Sequence, residues 1–446
     1  VSPPLAARLA EELLQAAPPP AVAPEVTLCL LDFIACALEA RDTAPSRAAR
    51  ALAATEPGEA SIIGLSARAS PGAAAFANAA AGHGLVREDM HAGAVSHLGV
   101  VVLPVLLALA QRHPVEGQAF IAAAATGYEV GAALGRALVN PRFSRQWRPT
   151  GWTGPLAAVA AGARLLGLTA AQTASALCLA ANTVGGLNEW PRDGGDEMFF
   201  HPGFAARNAL AVLAMAEAGA EGSATALDGP AGLFAAAGAA PPVALPLFAG
   251  GASEVSQVFR KALPLCNFAQ TPAQAAQRLR QEAGGLEADS IAAITIRASE
   301  AAVRYPGCDG TGPFARVLQA KMSIPFCVAA ALCHGAVEEA HFALPADPAL
   351  LRLVGLARLE ADDAATAAFP ARQGAEVIVT LRDGRRLSAA LPDLLPADAA
   401  MVRQRCRAAA AERLGGARAA QLEAAFAGLA TLDDVGAALR LAEPAA

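Results

Sequence analysis

At 446 residues the chain is long enough for two or three domains and for a large core that needs no covalent staples. Its 34 Lys and Arg against 40 Asp and Glu leave a net charge of −6, with no basic run or tail, which argues against nucleic acid as a partner. Hydrophobic residues make up 54% of the chain, but alanine dominates them; the most apolar stretch, Gly99–Ala110, is about half a membrane span and contains Pro104, so no spanning helix is predicted.

Residues 1–14 mix acids with a helical period where a secretory leader would have an unbroken apolar run, and a cytoplasmic location is expected by default. The eight cysteines form no C-x-x-C pair and are expected to be reduced and mostly buried. From residue 2 to about 240 the text consists of Ala/Leu-rich blocks of helical length separated by Gly and Pro, which predicts helices over 5–16, 24–40, 103–112, 118–138, 154–166, 170–183 and 205–218. Thr169 and Gln172 have the spacing of a capping box. Several blocks are apolar nearly all round, as suits helices buried in a multi-helix assembly or against a second subunit, and a homodimer is expected.

The character changes after the Gly-rich stretch 248–253. Segments 290–298 and 375–381 are β-branched and of strand length, and the Asp383-Gly384 turn joins the second to 386–391 as a hairpin. The fold class predicted is mainly α: a large all-α helical domain plus a smaller α+β domain over 252–395. The helical text beyond 397 could close either one.

Side chains able to do chemistry fall in clusters. His83, Glu88, Asp89, His91 and His97 lie within fifteen residues, at spacings that match no metal motif; Asp89 and His91 could equally be capping or loop-fixing groups. Arg145 to Gly154 precedes a helix that Thr150 or Thr153 could cap, and free amides at a helix start favour a carboxylate. Residues 188–207, with His201 and Arg207, read as a loop before a helix. In the second half Lys261, Cys266, Tyr305 and Cys308 stand beside turn residues, whereas Arg316 and Lys321, at the edges of a helix, are expected to be solvated. There is no phosphate loop with its Lys-Ser/Thr ending and no G-x-S-x-G elbow.

The order and spacing of these clusters resemble the MmgE/PrpD family, which includes 2-methylcitrate dehydratase, cis-aconitate decarboxylase and iminodisuccinate epimerase. The resemblance is carried by 81–91 with 97–104, by Trp147-Arg-Pro-Thr150, by His201-Pro-Gly-Phe-Ala-Ala-Arg-Asn208, by Leu227-Asp-Gly-Pro-Ala-Gly-Leu-Phe234 and by Lys261-Ala-Leu-Pro-Leu-Cys266. It implies a helical domain over 1–251 that recruits 396–446, a lid over 252–395, a homodimer, and cofactor-independent removal of a proton next to a carboxylate. Carried over by position, His97, Asp89, Lys261 and His201 are the expected catalytic residues, and Arg148, Thr150, His91 and Arg207 the expected carboxylate-binding ones, with no metal. Several polar positions of the family pattern are replaced, by Val86, Met90, Met198 and Phe326, and a histidine by Arg148. Arg148 is a permanent cation that cannot take a proton but can clamp a carboxylate in a fork. A lyase or isomerase of a small carboxylic acid is expected, by elimination first, with epimerisation or decarboxylation as alternatives. A catalytically silent, metabolite-binding paralogue is the competing possibility.

Overall fold

A computed structural model describes residues 3–140 and 142–445. The helical part is built around two long antiparallel helices, Gly117–Leu138 and Pro149–Leu166, flanked by Val22–Glu39, Pro71–His83, Gly99–Ala110 and Glu197–Glu217. Close approach explains the Gly/Ala richness. A β-carbon at Gly127 would lie 2.9 Å from Ala161 Cβ and from Val102 Cγ1, and one at Gly131 would lie 2.8 Å from Ala157 Cβ. The helices therefore pack at a separation that larger side chains would prevent.

One apolar core runs from Leu5 to Val258 and resumes from Ala397 to Ala442; a second runs from Leu263 to Leu391 and includes Val86, Trp190 and Met198 from the helical part. The segment beyond 397 thus returns to the helical part, its helix Ala399–Leu414 lying along Val22–Glu39. The two crossings of the chain between the parts are tied together, since the Ala397 amide donates to the Arg260 carbonyl at 2.8 Å. Arg405, on that returning helix, donates to the Lys261 carbonyl at 2.9 Å.

The second part carries a four-stranded sheet in the order Ala357–Ala361, Ile291–Ala298, Ala375–Leu381, Arg386–Leu391, with the first pair parallel and the others antiparallel. The helices Gln270–Glu282 and Ile324–His334 cover one face. The molecule is mainly α, with a large helical and a smaller α+β domain. The Asp-Gly hairpin forms as expected, with Gly384 at a φ of 87° and the Leu381 amide donating to the Arg385 carbonyl at 2.8 Å. The Thr169–Gln172 capping box also forms. All eight cysteines are free thiols, and only Cys333 is not fully buried. Among the described residues no helix is long and apolar enough to cross a membrane.

The helical half is not purely α. Met90–His91 pairs with Val258–Phe259 as a short antiparallel ladder, and Pro57–Ser61 pairs with Arg68–Ala69. These ladders are too short to show an alternating pattern in the sequence.

Candidate active site

The helix Pro71–His83 ends at His83, and the chain then runs along the domain junction before His97 leads into Gly99–Ala110. Two buried ammonium groups hold this run. Lys261 Nζ donates to the Val86 carbonyl at 2.9 Å, and Lys321 Nζ to the Leu85 carbonyl at 2.9 Å and the Glu339 carboxylate at 2.5 Å. Lys321, expected to be solvated, is 1% exposed; its helix ends inside the junction, where a carboxylate and a carbonyl replace its water. Val86, so pinned, has a φ of 58°, and Val95 a φ of 50°. β-Branched residues enter this left-handed region only under strain, and such strain gathers at functional sites.

Both valines line an inner cavity of about 30 Å³, the volume of roughly one water. His97, Arg148 and Lys261, distant in sequence, line the same cavity, with Trp190, Met198 and Tyr305 among the other walls. Glu88 Oε1 accepts from His83 Nδ1 at 2.7 Å and lies 2.8 Å from His97 Nδ1. His97 Nδ1 also faces the Asp89 carbonyl at 2.9 Å. Both neighbours of that nitrogen are acceptors, so it carries the proton, and Nε2, across the ring from Glu88, keeps the lone pair. His83 Nε2 accepts from Arg148 at 3.1 Å, which makes His83 neutral as well.

Arg148 is 6% exposed, lies 4.9 Å over the Trp190 ring, and has a buried Nε with no hydrogen-bond partner. Burial would push the Glu88 carboxyl up, but His83, Lys261 and His97 outweigh it and hold the group well below the usual carboxylate range. Burial pushes the Lys261 ammonium down, and Glu88 partly offsets this.

The other expected site residues are placed differently. Asp89, buried beside Glu88, does not line the cavity: its carboxylate accepts from the Tyr128 hydroxyl and, at 3.2 Å, from the Gly99 amide at the start of a helix. Glu88 occupies the place expected of Asp89: the chain bends at Glu88, whose carboxylate turns to His83 and His97, while that of Asp89 turns to Tyr128 and Gly99. Thr150 does not cap its helix, which begins at Pro149; its hydroxyl accepts from the His97 amide at 3.0 Å, while Thr153 donates to the Ser96 hydroxyl at 3.0 Å. Both threonines therefore fix the His97 loop. His91 pairs with Glu254 at 2.8 Å, and Arg207 forms an ion pair with Glu56 at 2.8 Å on the surface, neither lining the cavity. His201 lies outside the cavity wall on Glu197–Glu217, close enough to Arg148 to feel its charge.

Residues 6–245 match the MmgE/PrpD N-terminal domain and residues 263–423 the MmgE/PrpD C-terminal domain. The chain belongs to the MmgE/PrpD family. Its similar proteins include the cis-aconitate decarboxylase-like protein oryM of Aspergillus oryzae, 36% identical over 191 residues, covering 41% of this chain and 39% of the relative. A cis-aconitate decarboxylase of Aspergillus terreus is 32% identical over 200 residues, covering 43% of this chain and 41% of the relative. The aligned region thus spans about two fifths of these relatives' length.

In this MmgE/PrpD protein the donor atoms of His83, Glu88 and His97 lie within 4.8 Å of one another. His83 already spends its Nδ1 proton on Glu88 and His97 its own on the Asp89 carbonyl, and a dication there would face the adjacent charges of Lys261 and Arg148. The trio fits a hydrogen-bonded relay better than a metal site.

The buried imidazoles give the MmgE/PrpD fold an acid sensitivity. His97 is pushed down from 6.5 to about 3, by burial and then Lys261, and His201 also to about 3, by burial and then Arg148. Between those values the unfolded chain binds protons that the folded chain refuses, so stability falls as the pH drops from 6.5 toward 3. Glu254, whose burial is overcome by His91 and Arg136 and which sits at about 2, adds a loss of the same sign below 4.5. Asp32, raised by burial to about 7 from 3.8, acts oppositely, favouring the fold as pH falls through that window. With both imidazoles against one carboxyl, the melting temperature should decline on acidification below about 6.5. Scanning fluorimetry across buffers checks this; a melting temperature unchanged down to pH ~4.5 would contradict neutral buried imidazoles.

Proposed function

We propose that the chain is a lyase that removes the proton next to a carboxylate of a small carboxylic acid and expels a β-substituent, water in the simplest case. The observation that carries this is the placement of His97 in one cavity with Arg148 and Lys261, its Nδ1 proton held by the Asp89 carbonyl and the Glu88 carboxylate 2.8 Å from that nitrogen. A proton next to a carboxylate is far too weakly acidic for unaided removal, so a base must meet it where cations take up the developing enolate charge. His97 Nε2 is the base, and Glu88 orients the ring and offsets the charge the ring acquires. Arg148, with its buried Nε free, binds the carboxylate, and Lys261 faces the enolate oxygen.

Incubation with hydroxy- and amino-dicarboxylic acids in deuterated water tests this. Loss of the β-substituent with formation of the alkene is the expected result, and deuterium enters the α-carbon of recovered substrate through the reverse step; exchange without elimination points to epimerisation, and carbon dioxide release to decarboxylation. Arg148→Lys keeps the charge but loses the fork, and should raise KM by about tenfold to a hundredfold with a smaller change in kcat. Initial-rate kinetics on the identified substrate read this directly.

One observation favours a silent, ligand-binding paralogue: Val86, Met90 and Met198 make apolar a wall where the family pattern carries polar groups. That case predicts thermal stabilisation by a carboxylate with neither turnover nor deuterium exchange. A homodimer completes the proposal, supported by Phe204 and Met215, which are 52% and 45% exposed on the helix Glu197–Glu217. Light scattering behind size exclusion decides it.

A further inference from the structure

The inner cavity has a charge balance that limits what it can receive. Arg148 and Lys261 supply two positive charges to its wall, and Glu88, directly behind His97, supplies one negative charge. His83 is neutral, its Nδ1–H donating to Glu88 while its Nε2 accepts from Arg148, and His97 is a neutral imidazole whose Nδ1–H donates to the Asp89 carbonyl beside Glu88. Behind the wall Lys321 pairs with Glu339 at 2.5 Å and Arg87 with Glu39 at 2.6 Å, Asp32 feels the charges of Arg87 and Arg405, and the Asp89 carboxylate is turned away from the cavity onto the Tyr128 hydroxyl and the Gly99 amide. At the cavity wall, with Arg148 and Lys261 set against Glu88, one surplus positive charge remains, which one carboxylate neutralises. A second or third carboxylate would be buried without a counter-charge, among Val86, Met90, Met198 and Met322, and burying an unpaired ion is heavily penalised.

Volume points the same way. The inner cavity, at about 30 Å³, has room for a head group only after its walls yield. Beyond it lies an outer cavity of about 660 Å³, and Val95, Phe268 and Tyr305 line both. The outer wall is largely apolar, with Val139, Phe369 and Pro370, and its Glu300–Arg304 pair, at 2.6 Å, is internally neutral. Among the described residues it adds one uncompensated cation, Arg145, which is exposed and so largely screened by water.

We infer that the substrate is a single-headed carboxylate with an apolar arm, the head held between Arg148 and Lys261 and the arm passing Val95, Phe268 and Tyr305 into the outer cavity. This rests on the proposed reading of the inner cavity as the site of proton removal. It restricts that reading to acids of the form R–CH(OH)–CH2–COO⁻ and their relatives: His97 takes the α-proton, the β C–O bond breaks, and R–CH=CH–COO⁻ and water leave. The two valines in left-handed conformation keep their side chains directed at this path. Their strain is maintained by the buried lysine contact at Val86.

The test is calorimetric titration of the full chain with β-hydroxy monocarboxylates from β-hydroxybutanoate to β-hydroxydecanoate, beside citrate and cis-aconitate, with deuterium incorporation measured in parallel samples. Affinity is expected to rise about three- to fourfold per added methylene until the outer cavity is full, and the tricarboxylates should bind no more tightly than β-hydroxybutanoate. Ala301→Trp, on the outer wall, should flatten that rise, with circular dichroism melting confirming that the variant folds. A flat series, or tighter binding of citrate or cis-aconitate than of the longest monocarboxylate, overturns the inference. The deuterium data separate the two layers. A rising series with neither exchange nor alkene product removes the lyase reading and leaves the ligand class standing, whereas exchange or elimination on a tricarboxylate with a flat series does the reverse.

Discussion

His97→Ala is expected to slow removal of the α-proton by about 10²- to 10⁴-fold, the usual contribution of a positioned general base, while leaving KM nearly unchanged. The substitution leaves the main chain in place, because Thr150 holds the backbone amide of residue 97 rather than its ring. The ring sits at about 3, chiefly through burial and then Lys261, which is low for a base that works near neutral pH. A bound carboxylate offsets the Lys261 charge and raises it, so the acid limb of the kcat profile should lie above that value. Glu88→Gln should reduce the rate less and move that acid limb, since it alters orientation and charge behind the base without removing it. The measurement is deuterium wash-in at the carbon next to the carboxylate; equal wash-in by wild type and His97→Ala would remove His97 from the role.

The largest expected loss of stability lies far from the cavity. Gly117 begins the central helix Gly117–Leu138, and its amide donates to the Leu432 carbonyl at 2.8 Å. A β-carbon there would overlap the Leu429 carbonyl oxygen, which is backbone and cannot swing aside. Gly117→Ala should therefore lower unfolding free energy by about 3 kcal/mol, the upper end of ordinary overpacking. Gly416 is the control: nothing lies within 4 Å of its β-position, and alanine there should be neutral or stabilising by up to about 1 kcal/mol. Urea unfolding of both variants compares them. An unperturbed Gly117→Ala would mean that the C-terminal segment does not rest on the central helix.

Most long helices were legible because their apolar period is unbroken, and both hairpin strands were bounded by an unambiguous turn. The sequence misled where Gly and Pro are packing devices rather than breakers. Pro71–His83 was not expected as a helix, although Ser70 caps it at 3.3 Å. Glu197–Glu217 starts well before 205 because it runs through Pro202 and Gly203, the latter in close contact with the Phe76 ring. Gly99–Ala110 likewise continues through Pro104. In a dense bundle, tertiary contacts outweigh local propensity. The strand Ala357–Ala361 carries no alternation because it is an edge strand with little buried side chain.

At the site, the polar cluster was visible but the facing of adjacent side chains was not, so Asp89 was expected in the place Glu88 takes. Tyr305 and Cys266 stood out only as reactive residue types beside turns. Their position on the cavity wall depends on how the two domains meet, which no local pattern encodes.

The paired crossings of the chain behave as a door hung on adjacent hinges. Lys261 is next to Arg260, at the hinge itself, and is also tethered to the helical side through Arg405 and the Val86 carbonyl. Any swing of the sheet-bearing part moves points in proportion to their distance from that axis, so Tyr305 and Met322 would travel outward while the ammonium group stayed beside the imidazole. Such a swing would part the Lys321 ammonium from the Leu85 carbonyl while leaving Lys261 on the Val86 carbonyl, so the charge beside the imidazole would be the same in the wide and the narrow enclosure.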